Sequence, residues 1–242
     1  MGTIYSIGIG PALSEFITPQ ARQILDKVDT VIGNSRVIHR IKSLTEGKAI
    51  FTSGANQEKD LIEQAYELAE SGKDVAVVSM GDSAVYGLAV LLQQMLPDDG
   101  HIKLEIVPGL PEFICANALI GTTLSDDFAV MSLSTRLTAA ETVLFRLRLI
   151  AQSDLTTVLY YPAEKDSPEL LAQVIAAYSE FRPPDTVVAM VLKPYRNNQE
   201  IVIRTLDTFL EENISDAGTI FICSEDCRRV DDHVLGKRGY II

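Results

Sequence analysis

The sequence predicts an α/β protein of two units, each a mixed sheet flanked by helices. Three observations predict it. Through the first half, apolar runs of strand length alternate with amphipathic runs of helix length, the pattern of βαβ units. Residues 74–80 are almost wholly apolar and β-branched, as a strand buried on both faces of a parallel sheet is. Near the midpoint, Pro108-Gly109-Leu110-Pro111 is a turn signal, and beyond it the pattern becomes richer in strands. The expected organisation is a first domain at 1–110, a joint at 111–125 and a second domain at 126–242.

In chain order, residues 3–9 form a first strand ended by Gly10-Pro11. A helix follows over 19–27, with Thr18 as its N-cap and Pro19 in the first turn. Residues 29–33 are a second strand. Residues 57–71 place Leu61, Ile62, Ala65, Leu68 and Ala69 on one helical face, and Gly72 ends it. A buried strand at 74–80, a helix at 83–96 and a strand at 102–107 complete the first half. The second half reads as helix 112–119, strand 128–133, helix 139–151, strand 156–161, helix 168–178, and strands 187–192, 200–204 and 219–223.

The 242 residues carry 47% apolar and 22% charged side chains, a globular composition that excludes a disordered chain. The net charge of −12 argues against a general nucleic-acid binder, because an acidic surface repels phosphate backbones. The longest uncharged stretch, residues 83–97, falls short of the ~20 residues of a membrane-spanning helix. The N-terminus lacks the basic region of a signal peptide. Cys115, Cys223 and Cys227 are too few for a disulfide framework, so reduced thiols and a cytoplasmic location are expected.

Three strand-end turns are candidates for chemistry. Gly8-Ile9-Gly10-Pro11 follows the first strand, where ligands bind in open α/β sheets. It lacks the third glycine of a dinucleotide fingerprint, and Pro11 removes an N–H that a pyrophosphate would use, so a nicotinamide cofactor is disfavoured. Gly81-Asp82 ends the buried strand. There Asp82 either caps the following helix or presents its carboxylate to a polar cofactor. Val107-Pro108-Gly109 is the third turn, either an interdomain corner or part of a site. His39, His101 and His233 lie far apart, so no metal is expected. Cys223-x₃-Cys227 reads either as a metal or redox pair or, for Cys223, as a packed core thiol. A catalyst of this composition would work by positioning two substrates.

Taken together, Gly8-Ile9-Gly10-Pro11, Gly81-Asp82-Ser83-Ala84-Val85-Tyr86-Gly87 and Val107-Pro108-Gly109 resemble the tetrapyrrole methylase family of S-adenosylmethionine-dependent methyltransferases. The likeness extends to Ile17-Thr18-Pro19-Gln20-Ala21 and to residues 29–33. The second half resembles the branch that methylates carbon 17 of a precorrin in the cobalamin pathway. The matching segments are Asp127 to Ser134, Leu159-Tyr160-Tyr161-Pro162, Glu200 to Leu206 and Arg238-Gly239-Tyr240. The family's usual Gly-Asp-Pro-Gly loop reads Gly81-Asp82-Ser83-Ala84 here, and Thr135-Arg136-Leu137 replaces an Asp-Leu-Leu after the Ser-Leu-Ser segment.

The resemblance implies a two-domain fold with S-adenosyl-L-methionine in the interdomain cleft, S-adenosyl-L-homocysteine as its product, and a homodimer. By the same resemblance Pro11, Met80, Gly81, Asp82, Val85 and Tyr86 contact the cofactor from the first domain. Leu110, Pro111 and Glu112 do so from the joint, and Tyr161 and Met190 from the second domain. A tetrapyrrole precursor bears many carboxylates, so an acidic protein needs local bases to hold it. Arg136, Lys193, Arg196 and Arg238 are the expected ones, with Ser132 and Ser134 beside them; Arg228 and Arg229 are further candidates. No general base is identified, and no nucleic-acid or membrane partner is expected. The rival readings are a methylase of the same fold acting on RNA, on a modified histidine or on another corrinoid, and a non-catalytic tetrapyrrole- or cofactor-binding protein.

Overall fold

Val75, Ala76, Val77 and Val78 are all buried, as a strand covered on both faces requires. A computed structural model describes residues 1–54, 57–97, 100–162, 167–212, 214 and 216–239. The chain divides into two compact units, Met1–Glu112 and Phe113–Ile242.

The first unit is built on β1 (Thr3–Gly8), β2 (Thr30–Asn34), β3 (Ala49–Ser53), β4 (Val75–Ser79) and β5 (Lys103–Val107), in the order β3-β2-β4-β1-β5. Every pair is parallel. A mixed sheet was the expectation for both units, and here it gives way to a purely parallel one. The reason is that each connection is a crossover carrying a helix rather than a hairpin. Those helices are α1 (Pro19–Lys27), α2 (Ser35–Arg40), α3 (Glu58–Glu70) and α4 (Ala89–Met95). Alternate strand residues supply two cores. Ile7, Val31, Ala76 and Val78 pack with α1 and α2 through Ala21, Leu25, Val37 and Ile38. Ile4, Ile32, Val75 and Val77 pack with α3 and α4 through Leu61, Ile62, Ala65 and Leu92. Thr18 caps α1 as expected, accepting the Ala21 N–H at 3.2 Å.

The helix expected over 83–96 is shortened to α4. Residues 82–88 turn too tightly to be helical. Tyr86 takes φ 54°, and Gly87 has no room for a Cβ against the main chain of Ser83. Leu88, not Asp82, precedes the helix. Two elements went unforeseen: α2 is under two turns long, and β3 is an exposed edge strand without apolar alternation.

The second unit begins in α5 (Glu112–Ile120), whose first residue closes the first unit. It continues with β6 (Phe128–Ser132), α6 (Ala140–Ala151), β7 (Thr156–Tyr161), α7 (Ser167–Ser179), β8 (Val187–Leu192), β9 (Glu200–Thr205), β10 (Gly218–Ile222) and a hairpin of β11 (Arg228–Val230) and β12 (His233–Leu235). The sheet order is β6-β7-β10-β8-β9. β6 and β7 are parallel and every other pair antiparallel, so this sheet is mixed. Leu147, Leu171, Val174 and Tyr178 of α6 and α7 cover one face. Phe113, Ala116 and Ile120 of α5, with Val234 of β12, cover the other. The hairpin was not foreseen, because its strands are three residues each and mostly exposed.

At the end of this sheet where β7 begins, the buried Arg182 gathers the loop before β7. Its guanidinium pairs with Asp154 at 2.7 Å and donates to the Ser153 and Leu155 carbonyls. Beside it the Tyr178 hydroxyl donates to Thr157 Oγ1 at 2.7 Å, and burial pushes that phenol up to about 12. Arg182→Met leaves the Ser153 carbonyl without a donor and the Leu155 carbonyl with Thr157 Oγ1 alone at 3.4 Å, and is expected to cost about 3 kcal/mol. Asp154→Asn, at a mostly exposed position, is expected to cost about 1 kcal/mol. Urea unfolding checks both, and equal midpoints for the two variants would contradict the ranking.

Candidate functional site

β4, β1 and β5 are neighbours in the first sheet and run the same way, so their carboxyl ends lie side by side. The three glycine-bearing turns leave from those three ends. They touch through main chain. Gly10 and Gly81 exchange hydrogen bonds, N–H to carbonyl at 3.0 Å and 2.8 Å. A Cβ on Gly8 would stand 2.6 Å from the Gly81 carbonyl oxygen and 2.8 Å from the Gly109 nitrogen. A Cβ on Gly109 would meet the Gly8 carbonyl at 2.6 Å. Glycine is required at both positions because another backbone occupies the side-chain space.

The Asp82 carboxylate fastens two of the turns. One oxygen accepts the Ala84 N–H at 2.8 Å and the other the Gly109 N–H at 2.9 Å. Asp82 therefore caps no helix; it braces the second turn against the third. The Thr18 hydroxyl adds a tie of its own, 3.3 Å from the Pro108 carbonyl. Ser83 is fully buried and donates to the Ser6 carbonyl of β1 at 3.1 Å, and Ser79 Oγ accepts the Leu88 N–H at 3.3 Å. Ser83 and Leu88, near the two ends of the loop, are thus tied to the sheet.

The first-unit residues expected to hold a cofactor come together here. Pro11 is buried in the first turn. Met80, Gly81, Asp82 and Val85 form the second, with Tyr86 61% exposed. Leu110, Pro111 and Glu112 lie within 4 Å of where a Gly81 Cβ would be. Asp82 offers a negative charge beside a rigid surface of backbone, suited to a small polar ligand carrying a cationic group. A separate depression of about 660 Å³ lies around Ser35, His39, Lys42 and Thr52 near β2 and β3, and holds none of these residues. Among the described residues no group of three or more His, Cys, Asp or Glu is placed to hold a metal ion.

The model of the tetrapyrrole (corrin/porphyrin) methylases matches residues 3–210. The chain belongs to this family. Among its relatives is a probable cobalt-factor III C(17)-methyltransferase of Methanocaldococcus jannaschii, 31% identical over 98% of both chains. A cobalt-factor III methyltransferase of Priestia megaterium is 30% identical over 99% of this chain, which spans 45% of that longer protein. The crystal structure of the methyltransferase CobJ superposes with a TM-score of 0.90 at 26% identity, covering 98% of this chain and 100% of that one. A uroporphyrin-III C-methyltransferase from Thermus thermophilus, solved with S-adenosyl homocysteine, shares the fold at a TM-score of 0.72 and 21% identity, over 91% of this chain and 97% of that one. The family and fold expected from the three turns are borne out.

The remaining expected residues lie on the second unit. Tyr161 ends β7 opposite Gly218, and Met190 lies on β8 opposite Ile220. Both side chains are buried in the core shared with α6 and α7. β6, β7 and β8 end at the same edge of the sheet. Ser132 and Ser134 therefore share an edge with Lys193 and Arg196. Ser132 Oγ accepts the Ser134 N–H and Ser134 Oγ the Arg136 N–H, two linked turns that lead to the exposed Arg136. Lys193 is paired with Asp216 at 2.6 Å, which already neutralises its charge. Arg238 stands apart: it donates to the Ser125 carbonyl at 2.8 Å, in the segment entering β6 at the opposite end of that strand. Arg228 and Arg229 lie on the hairpin, where Arg229 donates to the Asp231 and Ile203 carbonyls. Tyr240 lies outside the described residues.

Sequence reading missed the bracing role of Asp82 and the Arg182 clamp. The Gly-Asp pair signalled the first residue but not its partner, because Gly109 is remote in sequence. Gly109→Ala is expected to destabilise the first unit by about 3 kcal/mol, since backbone cannot rotate away as a side chain can. Gly239→Ala, with nothing within 4 Å of the added Cβ, is expected to stay within about 0.5 kcal/mol of the parent chain. Denaturant titration of the two variants checks this, and equal stabilities would contradict it.

Proposed function

We propose that this chain is an S-adenosylmethionine-dependent C-methyltransferase acting on a precorrin or cobalt-precorrin. We infer methylation at carbon 17 with ring contraction, as a step of cobalamin biosynthesis. The observation that carries the reading is the convergence of the Gly-x-Gly-Pro, Gly-Asp and Val-Pro-Gly turns into one braced surface on a chain matched over 98% of its length by a probable cobalt-factor III C(17)-methyltransferase.

Bound S-adenosylmethionine supplies an electrophilic methyl on a sulfonium centre. The residues present fit it. Gly8 and Gly109 let the turns close main chain on main chain, and Asp82 sets a carboxylate beside them. Pro11, Gly81, Asp82, Val85 and Leu110 to Glu112 hold the donor. The carboxylate complements its cationic groups, and the acidic protein favours its approach. The electron-rich macrocycle brings its own nucleophilic carbon, so the protein provides orientation and exclusion of water rather than a strong base. Arg136 and Arg196, near the edge where β6 and β8 end, take the substrate's carboxylates, since a guanidinium binds them in bidentate fashion. We place the enzyme in the cytoplasm as a homodimer. Its buried cysteines suit a reducing compartment, and the exposed Phe145 and Leu149, one turn apart on α6, suit a second copy.

The decisive experiment supplies methyl-labelled S-adenosylmethionine with precorrin-3B or cobalt-factor III and follows the label. Label on the macrocycle carbon is expected. S-adenosylhomocysteine binding without methyl transfer to either substrate would favour a binding protein and overturn the catalytic reading. Asp82→Ala is expected to weaken S-adenosylhomocysteine binding more than tenfold in calorimetry, because it releases the third turn as well as removing the charge. Arg136→Ala is expected to raise the KM for the tetrapyrrole about tenfold with binding of S-adenosylhomocysteine unchanged, the loss of one charge-assisted contact.

A further inference from the structure

The far end of the second sheet, away from the substrate edge, holds two thiols in a structured turn. β10 ends at Ile222, and the next residue, Cys223, is fully buried with its N–H on the Val187 carbonyl at 3.0 Å. The turn that follows is pinned at nearly every residue. The Ser224 N–H bonds Thr156 Oγ1 at 3.0 Å and the Glu225 N–H bonds Asp154 Oδ1 at 3.0 Å. The Cys227 N–H closes back on the Ser224 carbonyl at 3.1 Å. This path folds Cys227 back toward Cys223, and the two residues join the same buried cluster beneath the sheet. Ser224 Oγ is 3.4 Å from Cys227 Sγ.

We propose that Cys223 and Cys227 form a reversible thiol–disulfide site that reacts with low-molecular-weight disulfides. The two sulfurs differ as a reactive pair should. Cys227 is 9% exposed and Cys223 not at all, so a reagent reaches Cys227 first. The Cys223 thiol first, and then Ser224 and Thr156, draw Cys227 down to about 6 against its burial, in the direction that favours the attacking thiolate. Cys223 is held well up by Cys227 and by burial, which keep it protonated until needed. The charged groups around the pair are Arg182, whose guanidinium acts on Cys223, its partner Asp154, and Glu225 and Asp226 on the turn itself. Asp226 is paired with Lys237 at 3.6 Å.

In the first step the Cys227 thiolate attacks one sulfur of the small disulfide. The mixed disulfide forms and one small thiolate leaves. Cys223 then loses its proton and attacks Cys227 Sγ, forming the intrachain bond and expelling the second small thiolate. Two protein thiols are oxidised and one small disulfide is reduced to two thiols. The bond would tie the central strand β10 to the start of β11. That hairpin in turn holds the end of α5, where the Thr122 N–H bonds the Val234 carbonyl at 2.9 Å. The site is independent of the methyl-transfer reading.

The test treats the purified chain with oxidised glutathione, alkylates the remaining thiols in denaturant and maps the peptides. The expected result is a Cys223–Cys227 disulfide with Cys115 still alkylated, reversed by dithiothreitol. The variant Cys223→Ser, lacking the resolving thiol, should keep a stable glutathione adduct on Cys227. Three alkylated thiols after oxidant, a lasting adduct on Cys227 of the parent chain, or a disulfide involving Cys115 would each overturn the proposal. The parent chain alone decides the matter if the variant does not fold.

Discussion

Main chain meets main chain at the carboxyl edge of the first sheet, and the rest of the candidate site follows from that contact. Three neighbouring parallel strands end together, and their turns close until carbonyls and amides of Gly8, Gly10, Gly81 and Gly109 stand where side chains would otherwise be. A surface made this way is rigid before any ligand arrives, so little ordering remains to be done on binding. It depends on β4, β1 and β5 running parallel, because only then do all three strands deliver their turns to one edge.

Asp82 shows how a charge is held at such an edge. A carboxylate near a low-dielectric wall is costly unless its oxygens are solvated by donors. Here the Ala84 and Gly109 amides supply them, and in doing so they fix the carboxylate's direction. The second unit answers a different need. Its crossovers through α6 and α7 make β6, β7 and β8 run the same way, so they end at one edge with polar and basic residues in their loops. At the other end Arg182 gathers the loop before β7.

Much of the fold was legible in the sequence because strong periodicity marks buried elements. β4 is apolar throughout and buried throughout, and α3 keeps its apolar face from Leu61 to Ala69. Elements that bury little carry weak signals, and those were missed: the edge strand β3, the short α2 and the hairpin after Cys227. The helix expected from Ser83 was shortened because Tyr86 adopts a left-handed conformation that its identity does not announce. In the candidate site, the turns were legible as glycines at strand ends. Their mutual contact was not, since Gly8, Gly81 and Gly109 are far apart in the chain and nothing local to any of them names the other two. Thr18 carries a similar lesson: its capping role is local and was readable, whereas its bond to Pro108 spans the unit.

The central claim is that these three turns act as one ligand surface. Hydrogen exchange of the chain with and without S-adenosylhomocysteine tests it most directly. The account predicts joint protection of residues 8–12, 80–87 and 108–112, with the depression around His39 unchanged. Protection confined to one turn, or appearing at residues 35–52 instead, would contradict it.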